Sequence, residues 1–379
     1  MTPQAHVIGW GKYVPRRVVT NDDLAQWVDT SDEWISKRTG IRTRHLADET
    51  ETTAALSIQA ARRALEIARL HPADVDLIIV ATVTPDHAFP ATACLVQDAL
   101  GATQAAAFDL SAGCSGFVYA LAIASHSLTA GAYRSALVIG AETLSRITDW
   151  SDRGTCVLFG DGAGALVLQA GENEGGVLGT VLGSDGSGGD LLQLPGGGSR
   201  YPASHTTVAE GMHYLQMKGR EVFRFAVKAM PGATREVLEK SGLDVTDIDL
   251  LIPHQANQRI IEAATRALDL APETVYTNLD RYGNTSGASI PIALCEAADS
   301  GRLEPDDLVV CVGFGAGLTW GAVALRWTRP LPKPLSRWQR VRHRIRYPLA
   351  AIRSWLRRLT RWVSALWVRD PLAERGDEE

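Results

Sequence analysis

DVDLIIV at 74–80 returns as DIDLLIP at 247–253. The apolar core of each, Leu77-Ile78-Ile79-Val80 and Leu250-Leu251-Ile252, is bounded by Asp or Pro and is too short for a buried helix. It also lacks the alternation of a half-exposed strand, so it reads as a strand covered on both faces. RSALVIGA at 134–141 returns in the same way as DLVVCVGF at 307–314, where Leu308-Val309-Val310 has the same character. Leu77 to Leu250 and Gly140 to Gly313 give one offset of 173 residues from two independent pairs, which predicts two duplicated halves. The break between them is expected near Gly171 to Gly176. Ala-rich helical stretches at 53–70 and 259–268 lie between the strands, and the alternation reads as α/β with covered sheets. The expected division is 1–174 for the first half, 175–328 for the second, and 329–379 for a tail of different character.

Composition narrows the class. The 379 residues are 45% hydrophobic and 21% charged, an ordinary globular balance. MTPQAHVIGWGKYVP has no basic segment followed by an apolar stretch, so a cytoplasmic, reducing location is expected. Cys94, Cys114, Cys156, Cys295 and Cys311 are scattered, with no CxxC pair and no His at ligand spacing, so neither a disulfide framework nor a metal site is expected. The net charge of −5 hides an asymmetry: residues 329–379 hold thirteen Arg or Lys against five Asp or Glu. That basic segment is expected to meet something anionic.

The 173-residue offset carries Cys114 to position 287, so AGCSGFVYALAIA and NTSGASIPIALCEA occupy equivalent places, each a small-residue turn leading into an apolar helix. Two halves packed face to face would bring these helix starts together, and a reactive site is expected there. Cys114, in DLSAGCSGF, would sit at a helix start whose unpaired N–H groups lower a thiol's pKa. An isolated cysteine is more often a buried structural one, which is the reading of Cys94, Cys156 and Cys295. His254, in IPHQAN, emerges at the C-terminal end of a buried strand, where ligand sites of α/β folds gather. Asn284 follows Tyr282-Gly283 and would by itself be a helix-capping turn residue. Together the three form a coherent set. The thiol is a nucleophile, and two neutral donors, His Nε2–H and the Asn amide, suit an enolate formed as malonate loses CO₂. No GxSxG elbow supports a serine hydrolase. The glycines at 160–164 and 183–198 lack the GK[ST] of a phosphate loop and read as tight turns.

DLSAGCSGF, DRGTCVLFGDGAGALVL (152–168), PHQANQRI (253–260), YGNTSGASIPIAL (282–294), GFGAGLTWGAVALRW (313–327) and TSDEWISKRTGIRTRH (30–45) together resemble the 3-oxoacyl-[acyl-carrier-protein] synthase III family, in order over residues 5–327. The resemblance implies a thiolase-like fold of mixed sheets in a layered α/β arrangement and a homodimer. It implies acyl-CoA loading Cys114 and malonyl-acyl-carrier-protein as extender, with no permanently bound cofactor and no nucleic acid. By position Trp34 and Arg153 resemble the pair that sandwiches the CoA adenine, Arg38 a phosphate contact, and Asn257 a further cofactor contact. Phe89, Leu158 and Phe223 correspond to the acyl pocket, Phe89 lining that of the partner subunit. Arg224, Gln255 and Arg259 correspond to carrier-protein docking, and the backbone N–H groups of Cys114 and Ala316 to the oxyanion donors. Two departures stand out. Ala316 interrupts the family's glycine run, and Arg220 stands where the family carries a small polar residue.

Other chemistries use the same residues. A degradative thiolase needs a second active-site cysteine, for which Cys311 is the candidate. An acyltransferase to an alcohol or amine, or a specialised-metabolite condensing enzyme, shares the first half-reaction. A non-catalytic scaffold is expected to lack Cys114. Beyond Trp327 the resemblance stops. Pro330, Pro332 and Pro334 form a hinge into two arginine-bearing segments separated by Tyr347-Pro348. In the second, Leu349, Ile352, Leu356, Leu359, Val363 and Leu366 recur at i+3 and i+4 beside Trp355, Trp362 and Trp367, with Arg353, Arg357, Arg358 and Arg361 opposite. A helix over 349–368 is expected, covered either by an anionic membrane surface or by protein.

Overall fold

The computed structural model describes residues 3–329 and 337–367, and in the last helix the side chains of 347–364. Two sheets organise it. The first has strands β1 (Gln4–Tyr13), β2 (Leu77–Ala81), β3 (Ala106–Leu110), β4 (Ser135–Glu142) and β5 (Gly162–Gly171), in the order β1-β5-β4-β2-β3. The second has β6 (Gly176–Ser184), β7 (Leu250–Pro253), β8 (Leu308–Gly315) and β9 (Thr319–Arg326), in the order β6-β9-β8-β7. Both sheets are mixed: β2 runs parallel to β4 and β7 to β8, while β5 and β9 are antiparallel to the strands beside them.

The duplication holds at the level of register. Leu77 faces Ala136 in the first half and Leu250 faces Val309 in the second, so the 173-residue offset relates both members of each pair. The second half has no full counterpart of β3; a single bridge between Leu251 and Val275 stands beside β7 instead.

Side-chain alternation on these doubly covered strands sorts the core into layers. Leu77, Ile79 and Ala81 face inward with Leu250, Ile252 and Val309, onto helices α4 (Gly116–Thr129) and α7 (Ser289–Asp299). Ile78 and Val80 face outward onto α2 (Thr53–Ala68) and α3 (Thr92–Leu100). Leu251, Val310 and Val312 face outward on the other side, onto α5 (Gly219–Lys240) and α6 (Gln258–Leu268). The result is α/β/α/β/α. Phe117, Val118, Leu121, Ala122 and Ala124 are all buried, as a helix walled by sheets on both sides requires.

The central helices begin where the repeat predicts: the 3-10 turns Gly113–Ser115 and Ser286–Ala288, which are 173 residues apart, lead into α4 and α7. A Cβ on Gly140 would lie 2.2 Å from the Gly287 carbonyl oxygen, so only glycine lets the end of β4 meet the start of α7.

Two expectations need correction. Cys94 is exposed rather than buried, because on α3 its neighbours Ala93 and Val96 take the face toward the sheet. The tail is one helix, α8 (Arg337–Trp367), running through Pro348 rather than breaking at Tyr347-Pro348. A proline costs one helical hydrogen bond and crowds the carbonyl four residues back, yet α5 also runs through one, Pro231. The Pro330–Pro334 hinge and Val368 lie outside the described residues, as do the side chains of Leu366 and Trp367.

Candidate active site

Cys114 lies on the turn that opens α4, behind Gly113, whose φ of +56° belongs to the left-handed region. Ser115 clamps the turn: its hydroxyl lies 2.8 Å from both the Ala112 carbonyl and Thr319 Oγ1, and Thr319 in turn donates within the 316–319 loop. A Cβ on Gly315 would sit 2.4 Å from the Cys114 nitrogen, so the strand end leading to Ala316 passes directly against the Cys114 backbone. His254 is carried by the end of β7, where its N–H donates to the Val312 carbonyl at 2.8 Å. Asn284 is held by its backbone, its N–H donating to Leu158 O at 2.8 Å and its carbonyl accepting from Gly160 N at 3.0 Å. The three side chains line one cleft of about 1180 Å³.

Hydrogen bonds set what each group can offer. Asn284 Oδ1 accepts from the Ser286 N–H at 2.8 Å, which leaves the amide NH₂ for the cleft. The Gln255 N–H donates toward Ser289 Oγ at 3.4 Å, so the Ser289 hydroxyl proton is available to His254 Nδ1, 2.7 Å away. That pattern keeps the imidazole proton on Nε2. Burial beside Phe314, whose ring meets the imidazole edge-on at 5.2 Å, pulls the His254 pKa down to about 3. The ring is therefore neutral at pH 7 and a donor through Nε2.

The thiol departs from expectation. Its place at a helix start predicts a lowered pKa, but burial, followed by the charge of Glu142, pushes Cys114 up to about 12, against a lowering contribution from Ser286. At rest the Cys114 side chain is a thiol. Glu142, at the end of β4, is fully buried and escaped the sequence reading. Its carboxylate accepts from the Thr84 hydroxyl at 2.8 Å, the Val83 N–H at 3.1 Å and the Ser286 hydroxyl at 3.1 Å. Burial raises its pKa to about 7. Ser286, with φ of +47°, thus stands between the Cys114 thiol and a buried carboxyl. The sequence carries one signal for it, a charged residue closing the apolar run ALVIGAE.

At the cleft mouth, Trp34 and Arg38 stand on α1 (Asp32–Thr39), and the guanidinium groups of Arg38 and Arg153 each lie 4.9 Å from the Trp34 ring centre. Arg220, Arg224 and Arg259 are exposed on its rim and form no ion pair among the described residues.

Family models match in both halves: 3-Oxoacyl-[acyl-carrier-protein (ACP)] synthase III over residues 108–186 and the C-terminal part of the same family over 238–327. A beta-ketoacyl-[acyl-carrier-protein] synthase III of Caldanaerobacter subterraneus subsp. tengcongensis is 57% identical over 325 residues, covering 86% of this chain and 98% of that one. The chain belongs to the 3-oxoacyl-[acyl-carrier-protein] synthase III family. The Symbiobacterium thermophilum protein of the same name is 58% identical over 323 residues, covering 85% of this chain and 98% of its own. The crystal structure of the Pseudomonas aeruginosa synthase III superposes with a TM-score of 0.81 at 46% identity, over 87% of this chain and 100% of that one. A priming beta-ketosynthase from a polyketide biosynthetic pathway gives the same TM-score at 37% identity, covering 86% and 97%.

Within the synthase III frame, the positions carried over by resemblance fall into two groups. Trp34, Arg38, Arg153, Asn257, Leu158, Phe223, Arg224, Arg259 and Ala316 all line the cleft with the central three. Asn257 is also the N-cap of α6, accepting from the Arg259 N–H at 2.9 Å, and its amide donates to Arg38 O at 3.1 Å. Phe89 and Gln255 do not join them. Phe89 is 87% exposed, away from this chain's own cleft. Gln255 is 1% exposed, its amide donating to Pro253 O and Tyr276 O and accepting from Asn278 N, so it cannot dock a carrier; it braces the loop after β7. Cys311 lies in mid-sheet, paired with Ile252 and Val323, fully buried and outside the cleft lining, so it does not supply a thiolase's second cysteine. Among the described residues, no group of His, Cys, Asp and Glu is arranged to hold a metal.

Proposed function

We propose that this chain catalyses a decarboxylative Claisen condensation between an acyl-CoA starter and malonyl-acyl-carrier-protein, initiating acyl-chain synthesis. The observation that carries the reading is the convergence of a nucleophilic thiol with two neutral donors, His254 Nε2–H and the Asn284 amide, in one buried cleft. In the first half-reaction Cys114 loses its proton and attacks the thioester carbonyl. The Cys114 and Ala316 N–H groups hold the oxyanion, and CoA leaves as its thiolate and takes a proton. In the second, the malonyl carboxylate leaves as CO₂ and its electron pair becomes an enolate held by His254 and Asn284. The enolate carbon attacks the Cys114 thioester, a carbon–carbon bond forms, and the cysteine sulfur is released.

The remaining assignments extend this reading. Trp34, Arg38, Arg153 and Asn257 hold CoA, and because Arg153 already lies over Trp34, the adenine enters only after that stack opens. Leu158 and Phe223 bound the acyl chain. Arg224 and Arg259 receive the acidic carrier, which their exposure at the mouth supports. The enzyme works in the cytoplasm as a homodimer in which Phe89 reaches the partner's pocket, an arrangement that fits its exposure here. The halves divide at 174/175, between β5 and β6. The tail segment 349–368 contacts a membrane surface or a protein. A specialised-metabolite condensing enzyme would use the same residues on another starter.

Intact-mass spectrometry with a panel of acyl-CoAs, followed by malonyl-carrier protein, tests the assignment. Cys114→Ala is expected to gain no acyl mass, and a variant acylated at the wild-type rate overturns it. His254→Ala and Asn284→Ala are expected to acylate normally and to lose about 10² to 10³ in condensation; equal loss in both steps contradicts the roles given to them.

A further inference from the structure

An amphipathic helix on a protein surface ordinarily buries its apolar stripe and turns its polar stripe to water. α8 does the reverse. Its polar side is spent on the body: the Ser354 hydroxyl donates to Asp98 at 2.6 Å, and Arg358 and Arg357 reach the same carboxylate at 2.9 and 3.4 Å. Asp98 lies near the C-terminal end of α3, where Ala350 packs against Gly101. Tyr347 joins the outer core layer with Arg62 over its ring at 4.4 Å.

At 3.6 residues per turn, the side opposite Ala350 and Ser354 carries Leu349, Ile352, Trp355, Leu356, Leu359 and Trp362 as one stripe. All six are exposed, Trp355 at 60% and Trp362 at 63%. Seen on one chain, this is a continuous apolar ridge with no acidic residue on it.

The charge on the helix narrows what can cover that ridge. Between Arg337 and Trp367 the sequence holds nine arginines and no Asp or Glu. Arg353 borders the stripe on one side; on the other, Arg358 pairs with Asp98 yet keeps its side chain 70% exposed. A second copy laid ridge to ridge would bring two helices of this charge together with no carboxylate on either, and Asp98 beneath each is already paired with Arg358. A convex ridge of Leu, Ile and Trp edged by arginines instead matches a lipid interface, where Trp settles at headgroup depth and Arg extends to phosphate. The helix does not span: none among the described residues is long and apolar enough to cross a membrane.

We propose that the outward face of α8 lies flat in an anionic membrane surface and holds the catalytic body against it through the Asp98 contact. The proposal rests on reading 349–368 as a covered helix and commits it to lipid. The segment is additional to the condensing machinery: the C-terminal family model stops at 327, and matches spanning 98% of a relative cover 86% of this chain.

The test is co-sedimentation of the full-length protein with vesicles of phosphatidylcholine containing about one third phosphatidylglycerol, beside vesicles of phosphatidylcholine alone. Binding to the anionic vesicles is expected to be about tenfold or more the tighter and to weaken as salt is raised. Trp355→Glu with Trp362→Glu, both on the exposed face, is expected to lose about tenfold or more of that binding while condensation with soluble substrates stays unchanged. Equal sedimentation of wild type and double variant overturns the proposal, as does absence of wild-type binding. A lipid-free mass above that of the double variant also overturns it, because a second copy then covers the ridge. Cys114 acylation on the same preparations reports the catalytic reading separately.

Discussion

Ser289 shows how much of the chemistry rests on groups that never touch substrate. Its hydroxyl is the partner of His254 Nδ1, and without it the imidazole loses the bond that keeps its proton on Nε2. Ser289→Ala is expected to leave Cys114 acylation near wild type and lower condensation about tenfold, the equivalent of roughly 1.4 kcal/mol, measured by following the two half-reactions separately. Glu142 is the second such group. With its pKa raised to about 7 from the ordinary 4.5, it holds a proton in the folded chain where the unfolded chain has lost one, so it makes stability fall as pH rises through that window. His254, lowered to about 3 from 6.5, acts in the opposite sense and makes stability rise from about pH 3 to 6.5. Glu142→Gln removes only the first contribution. Urea titrations at about pH 4 and pH 8 are expected to show the variant gaining about 3 kcal/mol relative to wild type at the higher pH. Because the Glu142 charge raises the Cys114 pKa, iodoacetamide alkylation of the variant is also expected to reach half its maximal rate at lower pH. An unchanged alkylation profile would show that Glu142 does not act on the thiol.

Among the elements, α4 and α7 decide whether there is a site at all. Their N-terminal turns hold Cys114 and Ser286, and they meet because β4 carries glycine where the Gly287 carbonyl passes. Gly140→Ala forces a methyl group to within 2.2 Å of that oxygen, with the Gly287 backbone and the Pro291 ring against it and no flexible side chain to give way. A loss of about 3 kcal/mol or more is expected by denaturant titration, with acylation impaired in whatever fraction folds. The docking of α8 on α3 rests instead on the few groups around Asp98. Asp98→Ala is expected to speed tryptic cleavage after Arg353 and Arg357 while leaving the unfolding free energy of the body, from urea titration, within about 0.5 kcal/mol of wild type, because exposed pairs of this kind contribute little.

For the whole molecule, the charge map separates catalysis from placement. Residues 329–379 carry thirteen basic against five acidic groups in a chain of net −5, so the rest of the chain is strongly acidic. The cleft's basic rim of Arg220, Arg224 and Arg259 is therefore a local exception, suited to drawing in anionic CoA and carrier. Every residue of the cleft lies before 330. Deleting 330–379 is expected to leave kcat/KM for soluble acyl-CoA within about twofold of wild type; a dead truncation would mean that α8 completes the fold.

Local runs and one repeat offset made the covered strands and the duplication legible: LIIV and LVV read as doubly buried strands, and an offset of 173 relates strand pairs and helix starts alike. Residue types at the strand ends and helix starts pointed to Cys114, His254 and Asn284 as the candidate trio. What depends on surroundings came from the packed chain. The Cys114 thiol rises in pKa rather than falling because burial outweighs the helix start. Gln255 braces a loop because its amide meets Pro253, Tyr276 and Asn278 in space. Glu142 joins the site because β4 ends beside a turn 144 residues away in the chain. The apolar face of α8 points outward because Asp98, on another helix, takes its polar side. Periodicity reports that a stripe exists, whereas the direction it faces is fixed by what the opposite side binds.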